Sequence, residues 1–101
     1  MTIVAWDEEK NLELQKKRNI SFELIASLIE QEKILDIIQN PGQKYKHQGA
    51  YILEINSYTY VVPFVKNEGH VFLKTAFPHR GMHKKYSNKE RLTWNTKTRI
   101  N

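Results

Sequence analysis

The stretch Tyr51-Ile52-Leu53-Glu54-Ile55-Asn56-Ser57-Tyr58-Thr59-Tyr60-Val61-Val62-Pro63-Phe64-Val65-Lys66 decides the fold class. β-Branched and aromatic residues crowd both arms, and Asn56-Ser57 reads as a tight turn between them. The expectation is therefore a strand over 51–56 turning into a second over 58–66. Alternation places Tyr58, Tyr60, Val62 and Phe64 on one side and Thr59, Val61, Pro63 and Val65 on the other. Both sets are apolar, which describes a central strand with helices covering at least one side. Pro63 conflicts with that place, because it lacks a backbone donor and asks for a bulge or an edge.

Working outward, Asn67-Glu68-Gly69 reads as a second hairpin loop and 70–77 as the last strand. On the other side Asn40-Pro41-Gly42 ends an element, and 43–49 is a polar loop. The run 34–38 reads as a first strand, although its pattern also fits an extension of the helix before it. Two helices precede it. Asp7 caps the first, with Glu8 and Glu9 at its positive end, Lys16, Lys17 and Arg18 at its negative end, and Asn19 as a left-handed stop. With only Leu12 and Leu14 in its interior, this helix should be weakly amphipathic. Ser21 caps the second helix, whose Phe22, Ile25, Leu28 and Ile29 form one stripe facing the core.

Beyond Pro78 periodicity fades. A short helix over 84–92 is expected, then a frayed end holding Trp94 and Ile100. The fold class is thus α+β, with two N-terminal helices packed on a small antiparallel sheet of three or four strands and a basic C-terminal segment. One domain should occupy 1–86, and 87–101 a basic tail, helical or disordered.

At 101 residues there is material for one core. No run approaches the roughly 20 apolar residues needed to span a bilayer. The opening before Asp7 does not read as a signal peptide, so a cytoplasmic location without membrane partners is expected. Without cysteine the chain has no disulfide, thiolate nucleophile or zinc-cysteine site. His79 and His83, four residues apart, lack a carboxylate neighbour and make a poor metal site. There is no glycine-rich phosphate loop and no serine nucleophile motif, so neither metal nor cofactor is expected.

The net charge of +5 is unevenly spread. Residues 1–40 carry five Lys/Arg against eight Asp/Glu, whereas 74–101 carry eight against one, Glu90. A basic end of this kind attracts polyanions, or is simply a solvated tail.

Trp6-Asp7-Glu8-Glu9-Lys10-Asn11, followed by Lys17-Arg18-Asn19-Ile20-Ser21-Phe22-Glu23, resembles the N-terminal signature of the BrnT-type toxins. Thr75-Ala76-Phe77-Pro78-His79-Arg80, with Lys84-Lys85-Tyr86, is similar to that family's last strand and basic motif, except that His79 stands where serine is usual. The resemblance covers about residues 4–86. It implies a RelE-like ribonuclease toxin that slows bacterial growth. It also implies a cognate DNA-binding antitoxin as partner, and promoter DNA as a target of the complex.

Metal-free RNA cleavage needs a base for the 2′-hydroxyl, a cation for the phosphorane and an acid for the departing 5′-oxygen. The candidates are Arg80, whose guanidinium grips two phosphoryl oxygens, Lys74, the imidazoles of His79 and His83, and the phenol of Tyr86. Gly81 between the two histidines argues for an irregular turn there. Lys84 and Lys85 are candidate phosphate contacts, and Lys46 and His47 a second RNA-binding patch. Trp6 and Phe22 are expected to pack rather than react. Two rival readings remain. One is a catalytically inactive module of the same fold that binds nucleic acid or the antitoxin. The other is a ribosome-associated or transcription-regulating protein anchored by its basic tail.

Overall fold

In a computed structural model, residues 3–39 and 47–86 are described. The chain runs β1 (Ile3–Trp6), α1 (Glu8–Arg18), α2 (Phe22–Glu30), β2 (Asp36–Gln39), β3 (Gln48–Ile55), β4 (Tyr58–Asn67), β5 (His70–Leu73) and β6 (Phe77–Pro78). A helical stretch, α3, follows over 80–86. The fold class is α+β.

Local chemistry sets the helix ends. Asp7 Oδ1 accepts from the backbone N–H groups of Glu9 and Lys10 at 2.8 and 3.4 Å, and Asn19 closes α1 in the left-handed region at φ 56°. Ser21 Oγ accepts from Leu24 N at 3.1 Å to open α2. Both hairpins turn on two residues with positive φ. Asn56 (53°) and Ser57 (65°) join β3 to β4, and Glu68 (26°) and Gly69 (83°) join β4 to β5. The second turn is tighter than the three-residue loop expected, because Asn67 already pairs with His70.

The sheet runs in the order β1-β5-β4-β3-β2, with β6 also on β4. It corrects the expectation of a purely antiparallel sheet of three or four strands, because β1 joins it parallel to β5, Ile3 opposite His70 and Trp6 opposite Leu73. Two boundaries also move. Gln48 and Gly49 belong to β3 rather than to the polar loop, and the strand expected over 34–38 is Asp36–Gln39. Residues 40–46 of that loop and the tail at 87–101 lie outside the described residues.

The last strand expected over 70–77 is two pieces. Phe64 pairs with Leu73 but Val61 with Phe77, so residues 74–76 face Val62 and Pro63, and the extra residue makes a β-bulge. Pro63 sits at this bulge. Its carbonyl accepts from Lys74 N at 2.9 Å, so its missing donor points at the irregular backbone, and the central strand tolerates a proline.

The bulge reverses facing. Unbroken alternation groups Ala76 with Phe72 and Phe77 with Leu73; instead Ala76 joins Leu73 in the main core and Phe77 packs on the opposite face.

Both faces of the sheet are covered in part. α1 and α2 bury Leu14, Ile20, Phe22 and Ile25 against Tyr51, Leu53, Val62, Phe64, Val71 and Leu73. On the other face α3 lays Tyr86 and Met82 over Ile52 and Val61. The stripe expected on α2 faces the main core, with Leu28 and Ile29 at its margin. Leu12 of α1 is exposed.

Asn11, fully buried, clasps α1 to α2. Its Oδ1 accepts from Phe22 N at 2.7 Å, and its Nδ2 donates to Glu8 Oε1 at 3.0 Å and Glu23 Oε1 at 2.8 Å. Trp6 Nε1 donates to Glu8 Oε2 at 3.3 Å, and its ring lies 5.9 Å from that of Phe22.

Gly49 lies under the Phe64 ring, and a Cβ there would stand 2.6 Å from Ile38 O and 2.8 Å from Phe64 Cζ. One of those contacts is backbone, so β2 must shift to admit a methyl. Gly49→Ala should cost about 1–3 kcal/mol, read as a lower urea midpoint with an unchanged slope.

Candidate functional site

The cationic and imidazole candidates lie mostly on one continuous piece of chain, from the bulge through α3. Helix α3 starts at residue 80, earlier than the 84–92 expected, and Gly81 sits inside it rather than in an irregular turn. Its start is capped by His79, whose Nδ1 accepts from Met82 N at 3.1 Å while its carbonyl accepts from His83 N at 2.9 Å. With Nδ1 as acceptor, the neutral ring carries its hydrogen on Nε2. His79, an exposed residue, then presents a donor there.

His83 comes one turn later. Its Nδ1 lies 3.1 Å from Thr59 Oγ1, and its ring stacks on Tyr58 at 4.1 Å with 18° between planes. A hydroxyl donates or accepts equally well. If Thr59 donates, Nε2 carries the ring hydrogen; if it accepts, Nδ1 carries it. Thr59 belongs to the apolar set of β4 yet is 2% exposed. Its hydroxyl is spent on this histidine.

Tyr86 closes the described part of α3. Its hydroxyl donates to Asp36 Oδ2 at 2.5 Å, and this bond, with burial, raises its pKa above the ordinary value. The phenol is therefore occupied in anchoring α3 to β2. A raised pKa means the contribution to stability is present below about pH 10 and is lost as pH climbs through the folded-state value. Tyr86→Phe should lower stability by about 1.5–3 kcal/mol at pH 7, as for a hydrogen bond to a charged group. In urea titrations the gap to the parent should close above pH 10.

Arg80, Lys84 and Lys85 are exposed on α3. Lys85 Nζ lies 5.3 Å from the centre of the Tyr86 ring. Among the described residues Arg80 makes no ion pair and no hydrogen bond, the ion pairs there being Lys10 and Lys17 with Glu13. Lys74, at the bulge and exposed, lies 5.5 Å from the centre of the Phe72 ring. Lys74 keeps the face that strand alternation gives it with Phe72; Ala76 is the residue that leaves it.

His47 is not brought to this group. Its carbonyl accepts from Lys66 N at 2.7 Å, which puts it near the far end of β4 from Thr59. Seven strand steps separate the two, roughly 23 Å. Lys46 lies outside the described residues. A cleft of about 480 Å³ beside Trp6, Ile29, Tyr51 and Val71 opens on the face covered by α2, away from α3. Among the described residues no three His, Asp or Glu side chains are placed to hold a metal ion, and no helix is long and apolar enough to cross a membrane.

Sequence reasoning missed Asp36 and Thr59, the partners that hold α3 in place. Each is a polar residue in an otherwise apolar run of sequence, 34–38 for Asp36 and 58–65 for Thr59, and that is the signal available. Compared with known proteins, the chain matches no family model, no curated protein and no solved structure.

Proposed function

We propose that the chain is a RelE-like endoribonuclease toxin of a bacterial toxin-antitoxin pair, acting in the cytoplasm without metal and neutralised by a DNA-binding antitoxin. The observation that carries this reading is the exposed Arg80, which follows His79 and precedes His83 in sequence, on a helix anchored through Tyr86–Asp36 and His83–Thr59. A guanidinium in the first turn opposes the helix dipole rather than complementing it. Its place there gains nothing for α3, which favours a ligand as its purpose.

In the proposed reaction the RNA 2′-oxygen attacks the adjacent phosphorus and gives up its proton. A 2′,3′-cyclic phosphate forms, and the 5′-oxygen leaves with a proton. Arg80 holds the phosphoryl oxygens as negative charge builds on them. In this reading His83 moves the protons. His79 donates through Nε2 to a phosphoryl oxygen and has no spare lone pair while it caps α3. Lys74, Lys84 and Lys85 hold flanking phosphates, and Tyr86 acts by fixing the helix.

The second reading, a binding module without catalysis, draws on the same contacts, because His79 Nδ1 and the Tyr86 hydroxyl are both committed to structure. Induced expression of the chain alone decides between them. Growth arrest, with new RNA ends bearing 2′,3′-cyclic phosphate, is the outcome for a ribonuclease. Normal growth and intact RNA, with the protein shown to be folded, leave the binding module.

A further inference from the structure

Phe72 is 37% exposed although it stands on β5, which has neighbours on both sides. Across the ladder it faces Ala5 of β1 and Val65 of β4, a small residue and a branched one, so its ring rises from a low floor. The strand residues on either side, Val71 and Leu73, point the other way and are 2% and 0% exposed. The backbone beneath the ring is therefore held firmly.

Helix α3 covers this face only over Ile52 and Val61, with Ala50, Leu35 and Phe77 at the margin. Neither Phe72 nor Val65 belongs to that cluster. The Lys74 ammonium lies over the Phe72 ring, 5.5 Å from its centre, so an exposed π-system and a cation able to meet a phosphate stand together. That pairing suits a nucleotide better than an apolar peptide, which would leave Lys74 without a counter-charge. Single-stranded nucleic acid is bound by this combination, bases stacking on aromatic rings while cations track the backbone.

We infer that Phe72 is a stacking platform for an unpaired RNA base, with Lys74 on the adjoining phosphate, so that the substrate strand runs along β5 and β6 toward Arg80. This rests on the ribonuclease reading and deepens it. The substrate is single-stranded RNA, and the base on Phe72 lies a few nucleotides from the bond that is cut. The bulge at 74–76 turns the chain between platform and scissile phosphate.

The test measures binding apart from cleavage. The probe is a fluorescein-labelled single-stranded RNA oligonucleotide with 2′-O-methyl sugars throughout, which cannot form a cyclic phosphate. Phe72→Ala should weaken binding roughly 10- to 100-fold. Phe72→Leu, which keeps the apolar bulk without the π-face, should also weaken it. Phe72→Trp should bind as the parent does and show emission, above the parent background, that the RNA quenches. Lys74→Ala should reduce the salt dependence of binding, and Phe72→Ala should not.

Parent-like affinity in Phe72→Leu, or unquenched emission in Phe72→Trp, overturns the platform while leaving the ribonuclease reading to the growth experiment. Failure of the parent to bind the probe overturns the platform too. Cyclic-phosphate ends in cells would then show separately whether the cleavage reading survives.

Discussion

Asn11→Ala should destabilise the protein by about 2–4 kcal/mol, a fall in melting temperature on the order of 10–20 °C. The side chain is 0% exposed and makes three hydrogen bonds, one to the first backbone donor of α2 and two to carboxylates on different helices. Truncation leaves Phe22 N–H buried without an acceptor and removes the amide that bridges Glu8 and Glu23. A buried donor left unpaired costs more than the bond it made was worth. Asn11→Asp restores the acceptor but brings a third carboxylate between two others. It should be at least as unstable as Asn11→Ala at pH 7 and recover on acidification toward pH 4. Thermal unfolding of the three proteins at both pH values checks this. Equal melting temperatures would mean that the clasp does not hold the helices together.

This clasp bears on what the N-terminal resemblance means. Trp6, Asp7, Glu8, Asn11, Ser21, Phe22 and Glu23 are used in caps, a ring contact and the Asn11 network. The signature residues are therefore architecture, and their resemblance speaks to fold more directly than to chemistry.

Local signals made much of the fold legible. Asp7, Asn19 and Ser21 mark helix ends through groups that act within a few residues, and the alternation from Tyr58 to Phe64 matches the face that meets the helices. Other features depend on distant partners. Ile3–Trp6 is a strand because β5 lies open beside it, and nothing near in sequence announces that pairing. The bulge could be suspected from Pro63 but not placed, since its location is a property of two strands in register. For the same reason the faces of Ala76 and Phe77 were out of reach. Residue types in the candidate site were readable from the basic segment. The Thr59 and Asp36 contacts were not, because they join residues 24 and 50 positions apart.

Arg80→Ala should leave the fold intact and reduce RNA cleavage by about 10²- to 10³-fold in kcat, the usual loss when one stabiliser of a developing oxyanion is removed. The expectation of an unchanged fold follows from its exposure and from its lack of hydrogen bonds among the described residues, which put the stability change within about 0.5 kcal/mol. Arg80→Lys separates charge from geometry. Lysine supplies one point charge where arginine offers a planar fork, so activity should fall between that of the parent and of Arg80→Ala. The split between constants identifies the step. A group that meets the phosphorane lowers kcat, whereas one that only holds the substrate raises KM and leaves kcat alone. Lys84→Ala and Lys85→Ala should behave in the second way and flatten the salt dependence. Cleavage rates on a defined RNA, with melting curves for every variant, give the comparison. Undiminished kcat in a folded Arg80→Ala protein would remove Arg80 from the reaction and, with it, the main reason for placing catalysis on α3.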